Sequence, residues 1–405
     1  MYTTNNDKVE RNIVEYETIA GQRFPTGSIG KSDLRFRIQN TTVEECKEYA
    51  LSLEKFGYCK RAEKEIPCGT QYPYNVNLFY VYENDERQVF IFWDASIHTT
   101  FITYEALSAL PNERSFVGKN GRLVVPTFTQ LQLRWGMCYI VRLENGEFIV
   151  VDSGKLYDED VRRLYDFLKE NSPHQKPTVA LWIFTHSHKD HIGVATSFLE
   201  KYNLEVSIRA FAYQFPDCDK ISVSMDSVSD MKEAIIVLEK NIATGYPNAV
   251  IYTLHTGQSY FFDGLEIEIL WSIDDMYPSF YTSFNDMSTA LRFKFSNGKT
   301  VLLLADCMHD ANRRIAHRYG DYLKSDIMQV VHHGLIGGDK ELYKLVDPAI
   351  CFWPTSKVRF LGESLNQRYQ WCLGEGGCDY NAYLRDDTIR KRVHYHAENT
   401  VTINI

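Results

Sequence analysis

Residues 185–193 constrain this chain more than any other segment, because they hold three histidines and one aspartate within six positions. An unbroken apolar run of strand length, residues 179–184, comes directly before them. Apolar residues at helical spacing follow over residues 192–199. The pattern predicts a tight turn between a buried strand and a helix, which is a rigid place to hold polar groups.

The four polar side chains of this turn are types that bind metals. His186 and His188 lie two positions apart, so an extended backbone would point both imidazoles to the same side. Asp190 and His191 follow where the chain turns, and can face a second point nearby. Imidazole nitrogens and carboxylates suit zinc, manganese or iron. Polar residues gather in many loops, but these four in the order H-x-H-x-D-H favour a metal site.

Three other predicted strands also end in aspartate or histidine. Asp152 ends an early strand, Asp306 follows a buried strand, and His332 and His333 follow one more. The order and spacing of these segments resemble the signature of the metallo-β-lactamase superfamily over roughly residues 125–405. The resemblance implies an αββα sandwich, in which two mixed sheets are flanked by helices and the ligands lie at one rim.

Within that superfamily, two short segments look most like particular members. Residues 285–288 read Asn-Asp-Met-Ser, and residues 332–334 read His-His-Gly, with Asp306 between them. This variant is similar to the metallo-β-lactamase-like domains of bacterial competence (DNA-uptake) proteins and of teichoic-acid phosphorylcholine esterases. The resemblance therefore implies hydrolysis, with phosphodiester-type esters as the favoured substrates.

The resemblance also implies a binuclear centre for two divalent ions, zinc first, with manganese and iron as alternatives. The six expected ligands are His186, His188, Asp190, His191, Asp306 and His332. His186 and His188 would bind the first metal. Asp190, His191 and His332 would bind the second, and Asp306 would bridge the two metals. Two such metals lower the pKa of a shared water to about 7, which makes hydroxide available at neutral pH.

The catalytic assignments follow from the same arrangement. Adjacent residues on an extended chain point in opposite directions, so only one of His332 and His333 would ligate. We favour His332 as the ligand, which leaves His333 to protonate a leaving oxygen. Asp190, beside the bridging water, could also receive its proton. Asp152 is expected to hold the metal loop in place rather than to bind metal.

One departure from the superfamily pattern concerns the first metal. Many members carry another histidine about twenty residues before the bridging aspartate. Here Asp286 occupies that place, with Asn285 beside it, and the nearest preceding histidine is His255, in a turn ahead of a strand. The first metal would then have only three expected protein ligands, with Asn285 or Asp286 nearby.

At 405 residues, the chain is long enough for two domains. We expect a small α+β domain over residues 1–120 and the metal-dependent hydrolase domain over residues 121–405. In the first, Thr42 and Glu45 fit a capping box that opens a helix, and residues 76–93 read as a hairpin. Substrate shaping, dimerisation and partner binding remain open as roles for this domain.

Composition narrows the location and the partners. The nine cysteines are odd in number and include no C-x-x-C pair, which favours free thiols in the cytoplasm. The polar start of the chain is no signal peptide, and no apolar stretch is long enough to span a membrane. A net charge of −9 argues against a general nucleic-acid binder. The expected partner is a small-molecule or ester substrate, and the oligomeric state stays open.

Two alternatives remain beside the hydrolase. A nuclease of the same fold would need a local basic groove, whose candidates are Lys189, Arg292, Arg313 and Arg314. A weakly catalytic binding or sensor module would retain the metal site, and the missing histidine near position 286 supports it. Metal content discriminates the binding module from an enzyme, because two tightly bound metals favour an enzyme, whereas one or none favours the module.

Overall fold

The computed structural model describes residues 13–15, 34–67, 76–106, 123–219, 221, 223, 226–276, 283–355 and 380–405. These ranges contain three β-sheets, and the cysteines within them are all free. Residues 107–122 and 356–379, together with three of the nine cysteines, lie outside the described residues. No helix in the described ranges combines the length and apolar character needed to cross a bilayer.

The N-terminal sheet has six strands and one helix packed on it. Its strands are β1 (Ile13–Glu15), β2 (Leu34–Ile38), β3 (Cys59–Pro67), β4 (Val76–Glu83), β5 (Arg87–Asp94) and β6 (Thr99–Ala106). Their order is β1-β2-β6-β5-β4-β3. The predicted capping box opens helix α1 (Val43–Ser52), where Glu45 N donates to Thr42 Oγ1 and Thr42 N donates to Glu45 Oε2. The predicted hairpin is confirmed as β4 and β5.

Two further sheets stack face to face. The first sandwich sheet contains β7 (Thr127–Gln130), β8 (Cys138–Arg142), β9 (Phe148–Asp152), β10 (Thr178–Phe184), β11 (Ser207–Ile208), β12 (Ala210–Tyr213), β13 (Val250–Tyr252) and β21 (Val401–Asn404). The second sandwich sheet contains β14 (Ser259–Phe262), β15 (Leu265–Trp271), β16 (Ala290–Phe295), β17 (Thr300–Leu303), β18 (Ile327–Gln329), β19 (Ile350–Trp353) and β20 (Val393–His396). The strand order of the first sandwich sheet is β13-β12-β10-β9-β8-β7-β21, and β11 pairs with β10. In the second sandwich sheet, β14 to β20 lie side by side in chain order. Both sheets are mixed, with parallel strands toward one side of each.

Helices cover the outer faces of both sandwich sheets. They are α2 (Asp158–Asn171), α3 (Lys189–Lys201), α4 (Val228–Gly245), α5 (His309–Tyr319), α6 (Lys340–Val346) and α7 (Ala382–Arg385). Short 3₁₀ helices span Leu53–Phe56, Ile273–Met276, Phe284–Met287, Gly320–Leu323 and Val331–Gly334. Helices α2 to α4 pack on the first sandwich sheet, and α5 to α7 pack on the second. The αββα sandwich that the sequence predicts is therefore confirmed.

Strand β10 shows why the sequence encodes these layers. Leu181 and Ile183 face the core between the two sandwich sheets, whereas Trp182 and Phe184 face the helices. A strand between two apolar layers is buried on both faces, so its sequence is apolar without a break. The strand ends at the predicted metal turn, at the same rim where the parallel strands β9, β17 and β18 end.

Two elements have bounds that differ from what their sequence patterns indicate. Residues 202–212 have the pattern of a strand region, but the strand begins only at Ser207, because the chain turns through Val206 after α3. Residues 312–323 have the pattern of one helix, but they divide between α5 and a 3₁₀ helix at Gly320, whose backbone is outside the helical region (φ +48°). Neither difference moves a strand end at the rim.

The N-terminal sheet packs on the second sandwich sheet through buried polar contacts. Lys64 forms ion pairs with Glu266 and, at 2.6 Å, with Glu268. Glu105 accepts hydrogen bonds from Gln258 Nε2 and Tyr260 OH. The expected domain boundary near residue 120 falls outside the described ranges, so the division into 1–120 and 121–405 stays a prediction.

Candidate metal centre

Asp152 anchors the turn that follows β10. Its two carboxylate oxygens accept hydrogen bonds from Thr185 N, Thr185 Oγ1 and His191 Nδ1, each at 2.8 Å. Ser153 Oγ also donates to the His191 carbonyl at 2.8 Å. Because Nδ1 of His191 is held from behind, its Nε2 atom points into the site. Asp152 therefore holds the turn, as the sequence predicts.

Asp306 lies at the centre of the candidate site. It follows β17, is 2% exposed, and directs Oδ2 at four imidazole Nε2 atoms. The distances are 3.2 Å to His191, 3.5 Å to His333, 3.8 Å to His332 and 3.9 Å to His186. Its other oxygen, Oδ1, is buried and has no hydrogen-bond partner among the described residues. A buried acceptor without a partner is unfavourable unless a ligand or cation meets it.

Two overlapping groups within this site could hold metal ions. His186, His191 and Asp306 form one group, and Asp190, His191 and His333 form the other. In each group the ligand atoms all lie within 4.8 Å of one another. Neutral imidazole and carboxylate are suitable donors for zinc, manganese or iron, so the residues present fit a binuclear centre.

The geometry differs from the prediction for the two adjacent histidines. His333, rather than the favoured His332, completes the group with Asp190, whose Oδ2 lies 3.3 Å from His333 Nε2. The prediction assumed an extended backbone, but both histidines have positive φ, +48° for His332 and +55° for His333. Both rings therefore face Asp306 instead of pointing in opposite directions. Nδ1 of His333 contacts the Pro354 carbonyl at 3.1 Å, which aims Nε2 at the site.

His188 lies beside the first group without belonging to it. Its Nδ1 is 3.0 Å from His186 Nε2, and its Nε2 is 3.3 Å from Oδ1 of Asp226. Asp226 was not predicted as a site residue, because it lies in a polar segment before α4, follows no predicted strand and belongs to no motif. Only the structure brings this carboxylate to the site.

Asn285 faces the site from the position beside Asp286. Its Nδ2 is 3.2 Å from His332 Nε2, and its buried Oδ1 has no hydrogen-bond partner among the described residues. Asp286 instead accepts a hydrogen bond from Ser283 N as part of a capping box at the 3₁₀ helix Phe284–Met287. Of the two candidates at this place, the structure therefore brings Asn285 into the site.

The carboxylates and the imidazoles of the site stabilise each other's charged forms. Burial alone would raise the pKa of Asp306, but the imidazoles of His191 and His333 hold it well below its usual value. Burial would lower the pKa of His191, but Asp306 and Asp152 outweigh it and raise that pKa well above normal. For His333, Asp306 and the contact with Asp190 raise the pKa to about 9 against the effect of burial. The carboxylates therefore favour positive charge at the centre, which a divalent cation also supplies.

Trp135 forms part of the mouth of the site. Its Nε1 donates to Asp190 Oδ2 at 3.0 Å, and its ring stacks on His333 with centroids 5.6 Å apart. The residue is 36% exposed, so one side of the indole faces solvent. A Cβ atom on the neighbouring Gly136 would lie 2.0 Å from the Asp190 carbonyl, so only glycine allows this close approach. The loop around Trp135 carries no histidine, cysteine or carboxylate, so its sequence gave no indication of a place at the site.

Three further polar residues have partners outside the two metal groups. Arg292, one of the nuclease candidates, is buried and forms an ion pair with Glu268 at 2.8 Å. It therefore does not line a basic groove. His309 packs against the ring of Tyr380, with centroids 4.5 Å apart, and His394 Nδ1 accepts from the Trp353 indole.

Comparisons with known proteins give a fold-level likeness only. No family model and no curated protein matches the sequence. Among solved structures, CmlA, a diiron β-hydroxylase from Streptomyces venezuelae, matches with a TM-score of 0.40 and 10% identity over 69% of this chain and 54% of that chain. YhfI from Bacillus subtilis, described as a metallo-β-lactamase fold protein, matches with 0.38 and 12% over 69% and 99%. A possible metal-dependent hydrolase from Veillonella parvula DSM 2008 matches with 0.36 and 9% over 70% and 100%.

This chain spans about half the length of CmlA. At these TM-scores and identities, the likenesses carry no argument about the site. None of the three is described as a competence protein or a phosphorylcholine esterase, so that closer resemblance stays a prediction.

Proposed function

We propose that this chain is a metal-dependent hydrolase that attacks a phosphodiester-type substrate with a metal-activated water. The observation that carries the proposal is the environment of Asp306. Its Oδ2 lies within 3.9 Å of four imidazoles, while its buried Oδ1 has no hydrogen-bond partner in the described part of the chain. The preference for phosphodiesters rests on the resemblance of residues 285–288 and 332–334.

We assign the metal ligands from the two compact groups and from the place of His188 beside His186. His186 and Asp306, which belong to the first group, would hold the first metal together with His188, and Asn285 lies nearby. Asp190, His191 and His333 would hold the second, with Asp306 shared. When bound, two divalent ions supply Lewis acidity and a water whose pKa is about 7.

The protein's own groups would orient and protonate the reactants. Asp190 keeps a fixed orientation because Trp135 donates to its Oδ2, and it is the proposed acceptor of the proton from the attacking water. Because His333 belongs to the second metal group, His332 takes the proposed role of proton donor to the leaving oxygen. His332 is 9% exposed, and its Nε2 lies 3.2 Å from Nδ2 of Asn285.

The binding or sensor module remains the second candidate. Its support is the missing histidine near position 286, because the neighbouring Asn285, which faces the site, is a weaker ligand than a histidine. A module of this kind would bind fewer than two metals tightly and would not turn over esters.

The test is the Asp306→Ala variant assayed with bis(p-nitrophenyl) phosphate after metal loading. We expect turnover to fall to background. The circular dichroism spectrum should match that of wild type, and the unfolding transition should remain cooperative. Asp321→Ala, which removes an exposed carboxylate, serves as the matched control and should retain full turnover. Activity that persists in Asp306→Ala would exclude the two-metal mechanism.

A further inference from the structure

Both ring nitrogens of His188 have defined neighbours. Nδ1 lies 3.0 Å from His186 Nε2, on the side of the metal centre. Nε2 lies 3.3 Å from Asp226 Oδ1, on the side away from it. The side chains of His188 and Asp226 are only 15% and 19% exposed, so water competes little for this contact.

The same arrangement occurs at two other histidines of the site. His191 contacts Asp152 through Nδ1 and faces Asp306 through Nε2. His333 contacts the Pro354 carbonyl through Nδ1 and faces the site through Nε2. A histidine that binds metal through one nitrogen usually donates its other N–H to a carboxylate or carbonyl, which fixes the tautomer and the ring. His188 differs only in using the opposite nitrogen for each task.

Asp226 also connects the metal turn to a second loop. Its Oδ2 accepts hydrogen bonds from Ser283 Oγ and Phe284 N, both at 2.7 Å. These residues open the 3₁₀ helix Phe284–Met287, which carries Asn285 to His332. The Asp226 carboxylate therefore contacts His188, which follows a strand of the first sandwich sheet. It also contacts the loop at Ser283 and Phe284, which belongs to the second sandwich sheet.

We propose that Asp226 is a positioning residue for the first metal. It accepts the Nε2–H of His188, so that Nδ1 is free of its proton and aimed at the same point as His186 Nε2. By holding Ser283 and Phe284, it also fixes the loop that brings Asn285 to this metal. This inference rests on the proposed metal centre, and it adds a residue that no motif in the sequence indicates.

The experiment combines a metal titration with NMR of ring nitrogens in the full chain. Zinc is titrated into wild type, Asp226→Asn and Asp219→Asn against a chromophoric chelator. Asp219 is an exposed carboxylate of the same polar segment, paired on the surface with Lys232, and is the matched control. In parallel, ¹⁵N-histidine spectra of the zinc-loaded proteins report which nitrogen of His188 binds metal and how fast its N–H exchanges.

In wild type, we expect the signals of a His188 that binds through Nδ1 and keeps a slowly exchanging Nε2–H. In Asp226→Asn, we expect the affinity of one of the two zinc ions to fall by about 10- to 100-fold, with faster exchange of that proton. The other zinc should bind unchanged, and Asp219→Asn should match wild type in both measurements.

Other results would separate the two proposals. If wild type binds two zinc ions and Asp226→Asn matches it, the role of Asp226 is refuted while the metal centre stands. If His188 of wild type binds zinc through Nε2, the role of Asp226 is refuted. This result depends on wild type alone, so it holds even if the variant fails to fold. If wild type binds no zinc, the metal centre and the role of Asp226 are refuted together.

Discussion

Replacing Asp152 by asparagine should weaken the second metal site and the fold by separate, measurable amounts. The variant keeps the size of the side chain, and asparagine tolerates the left-handed backbone that Asp152 adopts (φ +58°). It supplies one acceptor oxygen instead of two, however. Three donors meet the native carboxylate at 2.8 Å, two from Thr185 and one from His191. At least one of them must lose its acceptor in a site that is 1% exposed.

The size of the effect follows from those contacts. A buried donor left without a partner costs about 1–3 kcal/mol, so the free energy of unfolding should fall by roughly 2 kcal/mol. If the new amide faces His191, Nδ1 must become the acceptor, and the ring proton moves to Nε2. That nitrogen faces Asp306 and could no longer bind metal, so the affinity for the second metal should fall by about 10- to 100-fold.

Urea unfolding and zinc titration of the same preparations test both parts. Ser153→Ala is the matched control, because Ser153 Oγ donates to the His191 carbonyl and leaves the imidazole untouched. It should lose stability but keep the metal affinity of wild type. The reasoning is wrong if Asp152→Asn binds both metals as wild type does, or if the two variants behave alike in both assays.

Two further variants address the rim and the mouth of the site. Asp274→Asn should lower the free energy of unfolding by about 3 kcal/mol at neutral pH, because the buried Arg35 loses a carboxylate 3.5 Å away. Burial would raise the pKa of Asp274, but His255 and Arg35 hold it at about 2. In urea titrations, the difference in free energy of unfolding between wild type and variant should therefore be full above about pH 4 and shrink as the pH falls toward 2. A difference that does not depend on pH would contradict this. Trp135→Phe should lower kcat about fivefold without changing metal content, since it loses only the indole N–H that orients Asp190, worth about 1 kcal/mol. Unchanged kcat, or loss of a metal, would contradict the role given to that hydrogen bond.

The sequence indicates several residues of the candidate site because they follow strand ends. The carboxyl ends of parallel neighbours meet at one edge of a sheet, so the residues after β9 and β10 lie close together, as do the residues after β17 and β18. Order and residue type were therefore enough to indicate His186, His191 and Asp306. The αββα layering was likewise readable from unbroken apolar strands beside amphipathic helices.

The other features of the candidate site depend on local backbone conformation and on the tertiary arrangement of loops, which the hydrophobic periodicity of the sequence does not predict. His332 and His333 both face the centre because each has a positive φ, which an extended-strand argument does not anticipate. Trp135 and Asp226 come from loops, and only the tertiary arrangement brings them to Asp190 and to His188.

The most direct test of the central claim is metal stoichiometry, measured by elemental analysis together with hydrolysis of bis(p-nitrophenyl) phosphate in the same preparation. The proposed centre predicts about two metal ions per chain and diester turnover that depends on them. Less than one metal per chain after zinc or manganese has been supplied, with no turnover, would contradict the hydrolase and favour the binding module.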